Sequence, residues 1–290
     1  MFQGSITAIV TPFKKGKFDE IVFRNLVKMQ IDAGINGIVP CGTTGESPTL
    51  DHSEHNHVVD ITIDAANGKV PIIAGTGSNS TDEAIAMTKH AKDAGADASL
   101  QVCPYYNKPT QKGMYEHFAE LAKIDLPLIV YNIQGRTGVN LETSTLIKLA
   151  NEFSNIIGVK EASGNLSQMM DIVAGKPKEF VVLSGDDNLT LPLMSVGGRG
   201  VISVASNLIP EKMVMMTNLA LEGELESAKK IHYELLPLFK ILFIETNPIP
   251  LKAAMAMKGW ICEEYRLPMC SMLPENKEKL KKVLSSIKVL

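Results

Sequence analysis

Residues 127–160 run from Pro127-Leu128-Ile129-Val130-Tyr131-Asn132-Ile133, through Leu146, Leu149 and Phe153, to Ile156-Ile157-Gly158-Val159-Lys160. Both ends are short and almost continuously apolar, the pattern of strands covered on two faces. The apolar residues between them recur at helical spacing, so the segment reads as strand, helix, parallel strand. The same alternation extends in both directions. Further strand-like runs lie at 5–10, 37–40, 70–74, 98–102, 180–183 and 200–204, with helical patterns such as Ile21, Leu26, Met29, Ile31 and Ala84, Met87, Ala91 between them. Eight βα units in about 205 residues have the stoichiometry of an α/β fold closed into a (β/α)8 TIM barrel. An open doubly wound sheet is the competing arrangement. Beyond residue 204 only helical patterns follow, at 210–222, 224–245, 249–257 and 276–286, punctuated by Gly223 and Pro248. The expected organisation is a barrel over 1–223 that carries the active site and a C-terminal helical extension over 224–290.

The chain has 290 residues, 45% hydrophobic and 21% charged, enough to build a large core without staples. Lys and Arg number 29 against 32 Asp and Glu, a net charge of −3, which offers no counter-ion surface to a nucleic acid. Cys41, Cys103, Cys262 and Cys270 lack the paired spacing of a zinc cluster or disulfide framework, which fits a reducing, cytoplasmic setting. The first thirteen residues are briefly apolar and then turn basic at Lys14, Lys15 and Lys17, the reverse of a secretory signal. No apolar run approaches the ~18 residues needed to span a bilayer. The expectation is a cytoplasmic protein without membrane or nucleic-acid partners.

A closed parallel barrel gathers its chemistry at the C-terminal ends of the strands. The residues there are polar: Thr43, Thr44, Glu46 and Ser47 after the second run, Tyr105, Tyr106 and Asn107 after the fourth, and Tyr131, Asn132, Arg136 and Thr137 after the fifth. Lys160 and Glu161 follow the sixth, and Gly185, Asp186 and Asp187 the seventh. Lys160 is the most informative. Strand parity puts it on the face of Ile156 and Gly158, opposite Ile157 and Val159. If that face is the interior, desolvation favours the neutral amine, which attacks ketones to form a Schiff base. The alternative is a rim lysine whose head pairs with a carboxylate such as Glu161. Tyr131 and Tyr106 could carry the proton that imine formation moves, Thr43 and Thr44 offer hydroxyls and backbone donors, and the fork of Arg136 suits a carboxylate.

Other signals are weaker. Gly75-Thr76-Gly77 begins like a dinucleotide fingerprint, but Ser80 replaces its third glycine. His52, His55 and His57 cluster in one helical pattern, where a solvated helix face outweighs a surface metal site. No metal and no cofactor are expected.

Taken in order, these residues resemble one family: the pyruvate-dependent class I aldolases that include dihydrodipicolinate synthase and N-acetylneuraminate lyase. The markers are Gly42-Thr43-Thr44-Gly45-Glu46, Tyr105-Tyr106-Asn107 with Pro109, Tyr131-Asn132 followed by Arg136-Thr137-Gly138, and Gly158-Val159-Lys160-Glu161-Ala162. Gly185-Asp186-Asp187, Gly200-Val201-Ile202-Ser203 and Asn247-Pro248 complete them. The resemblance runs essentially end to end. It implies that Lys160 forms the imine with pyruvate, that Tyr131 donates and accepts protons, and that Thr43 and Tyr106 complete the relay. Tyr106 would reach the neighbouring subunit's site, making a dimer the minimal active unit and a homotetramer the usual assembly. Thr44 and the backbone at Ile202 would hold the pyruvate carboxylate, with Gly185 also at the substrate, and Arg136 would hold the carboxylate of L-aspartate 4-semialdehyde.

Within the family, the Thr43-Thr44 pair and Arg136 favour the synthase of lysine and diaminopimelate synthesis over a sugar-acid aldolase such as the sialic acid lyase. A non-catalytic barrel is the alternative from another class, opposed by the retained lysine, tyrosines and threonines. Ser47, Pro48, His52, His55, Asn79, Glu83 and Tyr105 match the positions at which family members bind the feedback inhibitor L-lysine. One departure stands out. Where the family usually has proline two residues before the arginine, this chain has Gln134, which predicts a looser loop around Arg136.

Overall fold

The computed structural model describes residues 2–290; Met1, where the barrel reading begins, lies outside them. Eight parallel strands form one sheet: β1 (Gly4–Ala8), β2 (Ile38–Val39), β3 (Ile73–Gly75), β4 (Ala98–Val102), β5 (Leu128–Asn132), β6 (Ile156–Glu161), β7 (Val181–Ser184) and β8 (Gly200–Ser203). Their order is β2-β1-β8-β7-β6-β5-β4-β3, the chain order taken round a ring. A parallel bridge between Ile38 and Ile72 and a hydrogen bond from the Gly75 N–H to the Pro40 carbonyl (3.0 Å) join β2 to β3. The ring therefore closes, and the open doubly wound sheet is excluded. All eight strand-like runs of the sequence become barrel strands. A hairpin pairing Phe13–Lys14 with Lys17–Phe18 was not anticipated; its turn residues Lys15 and Gly16 both have positive φ, as a two-residue hairpin turn demands.

Helices follow the strands, and four of them begin at side-chain caps. Asp19, Asp51, Thr110 and Asn165 each accept a backbone N–H of the first turn of Glu20–Asp32, His52–Ala66, Gln111–Leu121 and Leu166–Gly175. The interior is filled by Ile6, Ala8, Val39, Ile73, Leu100, Ile129, Tyr131, Leu183 and Ile202. Register sets Tyr131 beside Lys160, and Lys160 beside Leu183.

The strand-parity expectation fails at two residues, Ile156 and Ile157. The β5–β6 register shifts between Leu128 and Ile129, which pair with Ile156 and Gly158. A single extra residue reverses the alternation. Ile156 consequently joins Val159 in the layer under the helices, while Ile157 packs with the interior set. Lys160 stays on the inner side with Gly158. A methyl group at Gly158 would lie 2.4 Å from Val181 Cγ2 and 2.8 Å from the Val181 carbonyl oxygen, so the interior below the lysine has room for hydrogen alone.

Beyond the barrel come the helices Leu225–Ile241, Ile249–Met257 and Pro274–Ser286. Their Leu235, Phe239, Leu251, Leu280 and Leu284 share one buried cluster with Phe23, Val27 and Met213 of the barrel's helical layer. Each such side chain contributes about 1.5–3 kcal/mol on burial, which fixes the extension firmly. Among the described residues no helix is long and apolar enough to cross a membrane.

Gly158→Ala tests the packing beneath the lysine. The added methyl is expected to lower unfolding stability by about 1–3 kcal/mol, as overpacking does. A denaturation midpoint equal to that of the parent would contradict the close approach.

Candidate active site

Lys160 is 6% exposed, at the C-terminal end of β6. Its Nζ lies 4.2 Å from the centroid of the Tyr131 ring. Among the described residues it has no hydrogen bond and no ion pair. Glu161, the carboxylate that could have paired with it, is engaged elsewhere: it accepts Asn132 Nδ2 at 3.0 Å, Gln168 Nε2 at 3.3 Å and the Ser163 N–H at 2.7 Å. Burial lowers the Lys160 pKa from 10.5 to about 8, with Asp186 and Asp187 opposing the shift and Arg136 adding to it. A lysine in this state is nucleophilic close to neutral pH. Gly185 gives it room, since a methyl there would meet Ala162 Cβ at 2.5 Å and Lys160 Cε at 3.1 Å.

Tyr131 is 5% exposed, and burial pushes its phenol up to about 12, with Arg136 and Thr43 acting in the opposite sense. A phenol that holds its proton so firmly donates a hydrogen bond and gives the proton up only to a stronger base. Thr43, Tyr131 and Arg136 line one cavity of about 540 Å3. Lys160 does not line it but lies against the Tyr131 ring, which does. Tyr106 stands apart, 89% exposed with φ 72°, so this chain alone brings together Lys160, Tyr131 and Thr43 without it.

Three neighbours had no role assigned from the sequence. Asn247 Nδ2 donates to Thr44 Oγ1 at 3.0 Å, and the Asn247 carbonyl accepts Arg136 Nη2 at 3.2 Å. Thr44 is 2% exposed, so this is its fixed environment. Asp187 is buried and accepts Ser203 Oγ at 2.6 Å and the N–H groups of Val204 and Ala205 at 3.2 and 2.9 Å, pinning the loop after Ile202. Asp186 has its carboxyl pushed up to about 6 by burial, with the Lys160 charge opposing. All three stood among the resemblance markers; what was missing was a partner, and partners come from other elements. Gln134–Thr137 forms a helical turn in which Arg136 and Thr137 both donate to the Ile133 carbonyl at 3.0 Å and Gly138 donates to Gln134.

Ser47, Pro48, His52, His55, Glu83 and Tyr105 line the same cavity as Tyr131 and Arg136, while Asn79 offers its carbonyl to Asn107 Nδ2 at 2.8 Å. His52 Nε2 lies 2.6 Å from Glu83 Oε1, and Ser78 Oγ donates to the other oxygen of Glu83. The Ser78 hydrogen bond, then His52, holds the Glu83 carboxyl below the usual range. His55 is buried with Nε2 on the Gly75 carbonyl at 2.8 Å, leaving Nδ1 without a partner, and burial lowers its pKa. His57 turns instead to Glu20. The three histidines thus serve three different partners, and among the described residues no cluster could hold a metal.

The sequence model of the Dihydrodipicolinate synthetase family matches residues 1–287. The 4-hydroxy-tetrahydrodipicolinate synthase of Syntrophobacter fumaroxidans is 54% identical over 288 residues, 99% of each chain. Among solved structures, the dihydrodipicolinate synthase of Cyanidioschyzon merolae with lysine bound superimposes with a TM-score of 0.97 at 43% identity, over 100% of this chain and 99% of that one. The enzyme of Acinetobacter baumannii complexed with pyruvate gives the same TM-score and identity over 100% of both chains. With the closed barrel and the interior lysine beside Tyr131, these likenesses establish that the chain belongs to the dihydrodipicolinate synthetase family.

Proposed function

We propose that the protein condenses pyruvate with L-aspartate 4-semialdehyde to form 4-hydroxy-tetrahydrodipicolinate and water, a lyase of the Schiff-base aldolase type in lysine and diaminopimelate biosynthesis. The observation that carries this reading is the unpaired Lys160 amine inside the barrel, against the Tyr131 ring. The neutral amine adds to the pyruvate ketone, and Tyr131 passes a proton to the carbinolamine oxygen, which leaves as water. Loss of a proton from the pyruvate methyl group gives the enamine, whose carbon attacks the aldehyde. The amine of the second substrate then adds to the imine carbon and displaces Lys160, closing the ring. Thr43 and a Tyr106 supplied by a second copy complete the proton relay. Thr44 and the Ile202 backbone hold the pyruvate carboxylate beside Gly185, and Arg136 holds that of the second substrate.

The exposure of Tyr106 supports a second copy, and a dimer paired into a homotetramer is the assembly proposed. L-lysine is the proposed inhibitor, bound by Ser47, Pro48, His52, His55, Asn79, Glu83 and Tyr105, with the Glu83 carboxylate facing its ammonium. The relative from Cyanidioschyzon merolae was crystallised with lysine. The barrel at 1–223, the extension at 224–290 and a cytoplasmic location belong to the same reading. A sugar-acid aldolase is not favoured by the full-length relatives.

Borohydride added with pyruvate should fix the reduced adduct on the peptide bearing Lys160, and Lys160→Ala should abolish it; an unmodified parent peptide overturns the reading. Because the attacking species is the neutral amine, kcat/KM for pyruvate should rise with pH up to about 8 and then level, falling roughly tenfold per pH unit below it. A profile flat from pH 6 to 9 contradicts a titrating nucleophile there. Millimolar L-lysine should slow turnover, and a velocity it leaves unchanged removes the inhibitor site. At the first position of its helical turn Gln134 needs no N–H partner, so Gln134→Pro should leave kcat/KM for the semialdehyde within about twofold. A tenfold loss would show that the N–H or side chain of Gln134 matters.

A further inference from the structure

Lys252 is fully buried on the helix Ile249–Met257 of the extension and does not line the cavity. An ammonium so far from water requires a complete set of partners. Its Nζ has one carboxylate oxygen of Glu46, the Thr11 carbonyl at 3.2 Å, and the faces of Phe13 and Tyr265 at 4.4 and 5.4 Å from their centroids. Glu46 is 3% exposed, and its second carboxylate oxygen accepts the Arg266 N–H at 3.4 Å. Both ends of that carboxylate are therefore held from the extension.

Glu46 closes the turn that carries Thr43 and Thr44. Its N–H donates to the Thr43 carbonyl at 3.1 Å, Gly45 N–H reaches the Gly42 carbonyl at 3.1 Å, and Thr11 Oγ1 grips the Gly45 carbonyl at 2.7 Å. Glu46 does this at φ 54°, a left-handed conformation that glycine would adopt without strain. A glutamate there is explained by its side chain. Just before the Lys252 helix, Asn247 holds Thr44 Oγ1 from above and receives Arg136.

We infer that Lys252 is a positioning residue for the condensation: by gripping Glu46 it fixes the Thr43-Thr44 turn against Asn247, which makes the helical extension a working wall of the active site. The inference rests on the imine reading of Lys160. Lys252 touches no substrate and acts only through the turn.

The test uses the full chain with Lys252→Met, Lys252→Arg and the double variant Glu46→Gln/Lys252→Met. The single Met change strands a buried carboxylate, whereas the double change removes both charges at nearly constant volume. Melting followed by circular dichroism reads folding; borohydride trapping of pyruvate and kcat and KM for pyruvate read the turn. The double variant should regain most of the melting temperature lost by Lys252→Met yet keep a fall of about tenfold or more in kcat/KM, with slowed trapping. Lys252→Arg, which keeps a cation at that depth with a different reach, should melt near the parent and still lose activity severalfold. Parental kinetics in a folded double variant or a folded Lys252→Arg overturn the positioning role and leave the pair as a folding element. A parent that fails to trap pyruvate overturns the imine reading first, and the inference with it.

Discussion

Everything at the mouth of this barrel answers to the cost of holding an amine where water cannot solvate its charged form. A lysine that titrates near 10.5 in water and near 8 at position 160 has lost about 3 kcal/mol of preference for its proton. The sign of the consequence for folding is fixed. Between pH 8 and 10.5 the unfolded chain binds more protons than the folded one, so this group's burden is full below 8 and fades as pH rises to 10.5. The fold carries that burden through the apolar burial of the strands and of the extension, and gains by it an amine that gives up its proton more readily.

Keeping the amine unpaired is as demanding as burying it, because carboxylates crowd the neighbourhood. Glu161 is next in sequence, yet the alternation of the strand turns it to the opposite face, where three donors hold it. Asp187 is fully occupied by Ser203 and two backbone N–H groups. Asp186 is left as an acid that acts on Lys160, and burial has weakened its own ionisation. An acid held by fixed donors stabilises a loop and is not free to pair directly with the amine, so Asp187 acts on Lys160 only as a charge through space.

The sequence made the strands legible because parallel barrel strands are apolar on both faces, and the polar strand ends stood out against that background. Lys160, Tyr131, Thr43, Thr44 and Arg136 were visible for this reason. The bulge at Ile157 was not, since a register slip leaves no mark in a run of isoleucines: both faces are apolar and parity has nothing polar to violate. Nor did sequence supply the part of Asn247, Lys252 and Glu46, whose meaning lies in contacts spanning about two hundred residues. Spacing rules reach one helix turn or one strand pair, and these contacts join the second barrel loop to the extension.

That long-range joint also explains why a barrel already closed by eight strands keeps a helical appendage. Loops at strand ends have few neighbours of their own, and two threonines between glycines are free to wander. A turn that is to serve the proposed relay and carboxylate site tolerates errors of well under 1 Å. The barrel supplies the floor of the turn through Thr11. Helical elements outside the barrel supply the grip through Asn247, Lys252 and Arg266, and their own docking is secured by the shared core around Phe23 and Phe239. Precision at the site is thus inherited from apolar packing far from it, carried inward by one buried ion pair and one amide.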